Sequence, residues 1–125
     1  MAHVLVVEDD LQVQETLVEA FMLFGHTVIS AENGVQALQV FGEGYYDIAI
    51  VDVEMPVMDG LALTRAIKNI QDDFPIILIT GFSHLYRPQD VLSLDVEAFL
   101  KKPLNLQGLL KIVEGILVRR QNVAS

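Results

Sequence analysis

Cysteine is absent from the 125 residues, so neither a disulfide framework nor a thiolate metal site is available to this chain. Basic residues are scarce. Eight Lys and Arg face 17 Asp and Glu, a net charge of -9 that argues against nonspecific binding to nucleic acid or to an anionic membrane. No apolar stretch approaches the length of a membrane span, and no Ser/Gly-rich linker, internal repeat or low-complexity run divides the chain. The length suits one ordinary domain with a real core and is too short for a second. These absences predict a soluble domain, and the missing cysteines fit a reducing compartment such as the cytoplasm.

What is present alternates. Short apolar runs at 4–7, 27–29, 48–51, 76–79 and 98–100 are separated by segments with helical spacing, the pattern of a parallel sheet covered on both faces. Leu17, Ala20, Phe21 and Phe24 form the first helical stripe, and Gly25 supplies a left-handed stop after it. Ala37, Leu38 and Phe41 follow the turn at Asn33-Gly34, while Leu63, Ala66, Ile67 and Ile70 follow Asp59-Gly60. Leu109, Leu110, Val113, Ile116 and Leu117 make the last stripe. The fourth helix is poorly patterned between residues 83 and 94, and Pro88 predicts that it starts there or is irregular before it. Residues 119–125 lose the apolar stripe and read as a frayed tail or the stump of a linker, which leaves 1–118 as the domain.

The fold class is therefore α/β, a (βα)5 doubly wound five-stranded parallel sheet. In such a sheet, of flavodoxin-like strand order 2-1-3-4-5, the first and third strands lie side by side at the centre and ligands bind at the carboxyl ends. Chemistry-bearing residues stand at those ends. The first run stops at Glu8-Asp9-Asp10, the third at Asp52 before the Pro/Gly loop 53–60, the fourth at Thr80-Gly81, and the fifth at Lys101-Lys102-Pro103. Carboxylate oxygens in an open site suit Mg²⁺ better than a transition metal, with Mn²⁺ a possible substitute. A nucleophile, a hydroxyl, an ammonium and a metal on one rim are what an incoming phosphoryl group needs. Crowding Glu8, Asp9 and Asp52 together would repel such a group, so the metal is predicted to be obligatory. Asp10 and Asp59 read as a first-turn charge and a turn residue, Lys101 as solvated, and His3, His26 and His84 lack metal-ligand spacing.

Over residues 3–118, the conjunction of Glu8-Asp9, Asp52 with Met55-Pro56 and Asp59-Gly60, Thr80-Gly81, and Lys102-Pro103 resembles the receiver domains of bacterial response regulators. These are the phosphoacceptor modules of two-component signalling. The resemblance implies that Asp52 is the phosphoacceptor, and that Asp9, Asp52 and the backbone carbonyl of Glu54 ligate the metal directly, with Glu8 acting through water. It implies that Thr80 is the hydroxyl drawn to the phosphoryl group and Lys102 the lysine that pairs with it. Phe99 matches the aromatic that changes rotamer on activation, and the Lys102-Pro103 bond is expected to be cis. Glu54 and Phe82 stand where the lifetime of the acyl phosphate is influenced.

The implied partners are a histidine kinase or a histidine phosphotransfer domain. The expected output surface is formed by the fourth helix, fifth strand and fifth helix, with a homodimer through that face as one outcome. The resemblance implies a signalling acceptor and not an enzyme, without direct nucleic-acid or membrane binding. Three other readings compete. A haloacid-dehalogenase-type phosphatase is echoed by Asp52-Val53-Glu54 but carries its nucleophile on the first strand. A flavodoxin-type carrier would need a phosphate-binding loop where Glu8-Asp9-Asp10 stands. A degenerate receiver would only bind partners.

Overall fold

The computed structural model describes residues 1–124, with the backbone alone at 83, 88 and 122–124. Five strands and five helices alternate: β1 (His3–Val7), α1 (Leu11–Leu23), β2 (Thr27–Ala31), α2 (Gly34–Glu43), β3 (Ile48–Asp52), α3 (Gly60–Ile70), β4 (Ile76–Thr80), α4 (Pro88–Leu92), β5 (Ala98–Lys101) and α5 (Leu106–Ala124). All strand pairs are parallel and the order is β2-β1-β3-β4-β5, as the alternation predicts.

The pleat divides the core in two. Leu5, Val7, Ala49, Val51, Ile76 and Leu78 project to one face, where Ala37 and Phe41 of α2 and Leu63 and Ile67 of α3 cover them. Val4, Val6, Ile48, Ile50, Ile77 and Ile79 project to the other, beneath Leu17 and Phe21 of α1 and Leu109, Leu110, Val113 and Ile116 of α5. Every residue of β3 and β4 is buried, which is why those runs are apolar without alternation. Asp52 and Thr80, as their last residues, are the places where this continuous apolar backing first meets a polar group.

Helix starts account for several of the charged and polar loop residues. Asp10 caps α1 by accepting from Gln12 and Val13, Asn33 caps α2 by accepting from Gln36, and Asp59 caps α3 by accepting from Ala62. Gly25 takes φ 86° and stops α1. That stop leaves Phe24 largely exposed, and Ile70 is exposed likewise at the end of α3, so these two positions leave the apolar stripes they extend in sequence. α4 is short, begins at Pro88, has no side-chain cap, and follows a single 3₁₀ turn at Ser83–Leu85.

The segment read as a tail continues the last helix, because α5 runs on to Ala124. Its polar extension is tied back to the body. Arg119 lies 3.6 Å from Glu97, and Arg120 donates to the Asp73 carbonyl at 2.8 Å. Ser125, at the end of that segment, lies outside the described residues. Among those described, no helix is long and apolar enough to cross a membrane.

Candidate functional site

β1 and β3 pair in register from Val4 with Ile48 to Val7 with Val51, so the residues that follow them emerge side by side at the carboxyl rim. Glu8 is fully buried there and Asp52 is 2% exposed, whereas Asp9 is open to solvent. The Glu8 backbone is fixed by its amide on the Ala31 carbonyl at 3.0 Å and by the Gln14 amide on its own carbonyl at 2.9 Å. Glu8, Asp9 and Asp52 each offer an oxygen within 4.8 Å of the others.

Lys102 closes the other side of the group. Its Nζ lies 2.8 Å from Glu8 Oε1 and 3.4 Å from Asp52 Oδ2. The near approach to Glu8 is a charge-assisted contact that partners the buried Oε1 oxygen. The Lys102 amide donates to the Thr80 carbonyl at 2.7 Å, which holds the start of the β5–α5 turn against the end of β4. The Lys102-Pro103 peptide is cis. Lys101 projects outward.

Burial pushes the Asp52 carboxyl up to about 8, reinforced by the hydrogen bond and charge of Glu8 and opposed by Lys102. Burial alone would lower the Lys102 ammonium, but Glu8 and Asp52 together outweigh it and hold the group above the usual lysine value. One ammonium thus sits between two buried carboxylates, an arrangement short of positive charge.

Between β3 and α3 the chain is tightly folded. The Glu54 amide donates to Asp52 Oδ1 at 3.3 Å, and Val57, at φ 72°, is the centre of a γ-turn closed by the Met58 amide on the Pro56 carbonyl at 2.8 Å. A β-branched residue rarely adopts that conformation, so local strain is stored in the loop that follows Asp52.

Thr80 is fully buried at the end of β4, but its hydroxyl is not turned to Asp52. It donates to Glu54 Oε2 at 2.5 Å and accepts from the Phe82 amide at 2.9 Å. The Glu54 carboxylate also receives the Gly81 amide at 3.1 Å and the Tyr86 hydroxyl at 2.7 Å. Tyr86 is held above the usual tyrosine value by burial and then by that bond and the Glu54 charge. Its ring meets Phe99 edge-on, centroids 6.1 Å apart at 89°.

Glu8, Asp9, Asp52 and Lys102 are therefore gathered, Thr80 is adjacent through its backbone, and Phe99 lies a step away behind Tyr86. Two features escape sequence reasoning. Tyr86 falls in an unpatterned stretch, and only a polar-tipped aromatic between loop residues hints at it. The reach of the Glu54 side chain depends on a loop conformation that no spacing encodes. His84 is exposed and meets Phe82 edge-on, whereas His26 is buried, accepts from the Ala2 amide and pairs with Glu114 at 2.8 Å, far from the rim.

Comparison with known proteins agrees with this arrangement. The family model described as the response regulator receiver domain matches residues 4–114. Response regulator MprA of Mycobacterium ulcerans (strain Agy99) is 34% identical over 117 residues, 94% of this chain and 50% of that protein. The chain spans about half the length of the curated relatives it matches. Response regulator protein TrrA from Thermotoga maritima, solved in complex with Mg(2+)-BeF, is similar at 34% identity and a TM-score of 0.84, over 93% of this chain and 99% of that one. A response regulator receiver domain protein from Clostridium thermocellum shares the fold at 24% identity and a TM-score of 0.90, over 98% and 99% of the two chains. The match of residues 4–114, on this strand order and with acidic residues gathered at this rim, shows that the chain belongs to the response regulator receiver domain family.

Proposed function

We propose that Asp52 is the acceptor of a phosphoryl group delivered by a histidine kinase or a histidine phosphotransfer domain. The observation that carries this reading is the pairing of two buried carboxylates, Glu8 and Asp52, with a single ammonium, Lys102, beside the exposed Asp9. A structural ion pair would be neutral. With both carboxylates ionised, this one has a surplus of negative charge that a proton on Asp52 or an added cation balances.

The residues fit a divalent hard cation, because the carboxylates of Glu8, Asp9 and Asp52 converge beside the one ammonium of Lys102. Asp9, Asp52 and the backbone carbonyl of Glu54 would hold Mg²⁺ or Mn²⁺ directly, with Glu8 acting through water. Bound there, the ion would neutralise the pocket and polarise the phosphoryl oxygens. The protein's own part follows from charge and placement. An Asp52 oxygen attacks phosphorus, the bond from phosphorus to the donor's imidazole nitrogen breaks, and an acyl phosphate forms. Lys102, within reach of Asp52, stabilises the equatorial oxygens, and Thr80 supplies a hydroxyl once its proton is free.

The domain then acts as a switch rather than as a catalyst of sustained turnover, signalling through the face of α4, β5 and α5, where it can meet partners or a second copy. The cytoplasm is the compartment that fits such a donor. A haloacid-dehalogenase-type phosphatase is disfavoured because Asp52 ends the third strand. The intact set of acidic residues, hydroxyl and lysine disfavours a degenerate receiver.

Incubation with acetyl phosphate is expected to place one acid-labile phosphate on each chain when Mg²⁺ is present and none when it is chelated. Continuous phosphate release from esters would instead support a phosphatase, and uptake that ignores chelation would contradict the metal site.

A further inference from the structure

Three donors converge on the Glu54 carboxylate, and each comes from the end of β4 or the segment after it. Thr80 and Tyr86 give Oε2 their hydroxyl protons, and Gly81 gives Oε1 its amide. A threonine or tyrosine hydroxyl carries one proton, so neither can donate elsewhere while this contact stands. The remaining capacity of the Thr80 oxygen is used as an acceptor for Phe82. The anion that holds them is two residues beyond Asp52, and its own amide donates to the Asp52 carboxylate at 3.3 Å.

We propose that the Glu54 side chain is a positioning residue that stands in for the phosphoryl group before phosphorylation, keeping the Thr80 proton and the Tyr86 hydroxyl engaged until it is displaced. The proposal rests on Asp52 being the acceptor. A phosphoryl group on Asp52 competes for the Thr80 proton with three oxygens of its own and repels the nearby carboxylate through like charge. Loss of Glu54 from Thr80 also releases Tyr86. The Tyr86 ring is the one that meets Phe99, and Tyr86 stands two residues before the uncapped, five-residue α4. Exchange of one anion for another at Thr80 is thereby coupled to the packing of Phe99 and to the start of α4. Occupation of the Thr80 donor by an internal carboxylate opposes phosphorylation by the strength of those contacts, a threshold that an uncharged residue at position 54 would not impose.

The test is a double-mutant cycle on the full chain, read as the affinity for beryllofluoride at saturating Mg²⁺ from amide spectra. Glu54→Ala keeps the backbone carbonyl and is expected to tighten binding about tenfold, equivalent to about 1.4 kcal/mol. Glu54→Gln, which keeps an acceptor but loses the charge, is expected to fall between, and Tyr86→Phe to tighten binding by a smaller factor. In a Thr80→Val background the gain from Glu54→Ala is expected to shrink to less than threefold, because the contested proton is gone. A gain that persists undiminished in that background reduces Glu54 to a nearby charge and overturns the proposal, as does weaker or unchanged binding in Glu54→Ala. Should Glu54→Ala not fold, Glu54→Gln and Tyr86→Phe run the same cycle. Failure of the acceptor assignment looks different, since Asp52→Asn would then still take up acid-labile phosphate.

Discussion

Asp52→Asn is expected to abolish Mg²⁺-dependent phosphate uptake and, in metal-free protein, to be more stable than the wild type. The first effect follows from chemistry, because an amide nitrogen or oxygen is no substitute for a carboxylate nucleophile in forming an acyl phosphate. The second follows from the pocket. Burial and Glu8 raise the Asp52 carboxyl from an ordinary value of 3.8 to about 8, so at neutral pH the folded state binds a proton that the unfolded chain releases. The stabilising contribution is therefore complete below the unfolded value and is lost as pH rises through about 8. Wild-type stability in chelator should fall between pH 4 and pH 8, and Asp52→Asn should flatten that decline. At the alkaline end the variant should be the more stable by on the order of 1–3 kcal/mol, since it buries no charge. Urea midpoints at several pH values in chelator measure it, and parallel curves for the two proteins would contradict the picture.

Gly60→Ala is expected to damage both the fold and the site. A Cβ at Gly60 would collide with the carbonyl oxygen of Asp52 and come within 2.8 Å of the Val53 Cα. Both are backbone atoms of a strand end that has no room to retreat, because the Val53 amide is bonded to the Ile79 carbonyl at 2.9 Å. The Gly60 amide is itself bonded to the Val53 carbonyl at 2.8 Å, and its carbonyl receives the buried Thr64 hydroxyl at 2.7 Å. Relief of the clash thus requires α3 or the end of β3 to move. A loss of about 2–4 kcal/mol is expected, at the upper end of overpacking effects. Phosphate uptake should slow even at temperatures where the variant stays folded, because Asp52 is displaced. Denaturant titration alongside phosphate uptake measures both, and a variant within about 0.5 kcal/mol of wild type would show that the close approach is not rigid.

Much of this was legible because strands buried on both faces cannot hide a polar group. Val51 to Asp52 and Ile79 to Thr80 are abrupt changes from apolar to polar, and an abrupt change at the end of a buried strand points to the rim. The caps at Asp10 and Asp59 behave as their turn chemistry predicts. What was not legible depends on long side chains and on ion pairs across the fold. The extension of α5 past Val118 brings Arg119 and Arg120 against Glu97 and Asp73, partners remote in sequence that leave no apolar stripe. Glu54 reads as a carboxylate free to influence water at the site, and only the folded loop reveals that it grips Thr80, Gly81 and Tyr86. Phe24 and Ile70 continue their stripes in spacing, but the helices end around them and leave them exposed.

The most direct measurement is to identify the residue that carries the phosphate. Acyl phosphates are reduced by borohydride to the corresponding alcohol, so phosphorylated protein treated in this way and cleaved to peptides reports its acceptor as a mass change. Homoserine at position 52 alone, and only in samples phosphorylated with Mg²⁺ present, is the predicted result. The modification at Asp9, Glu8 or Glu54, or at no carboxylate, would contradict the assignment of Asp52 as the phosphoacceptor.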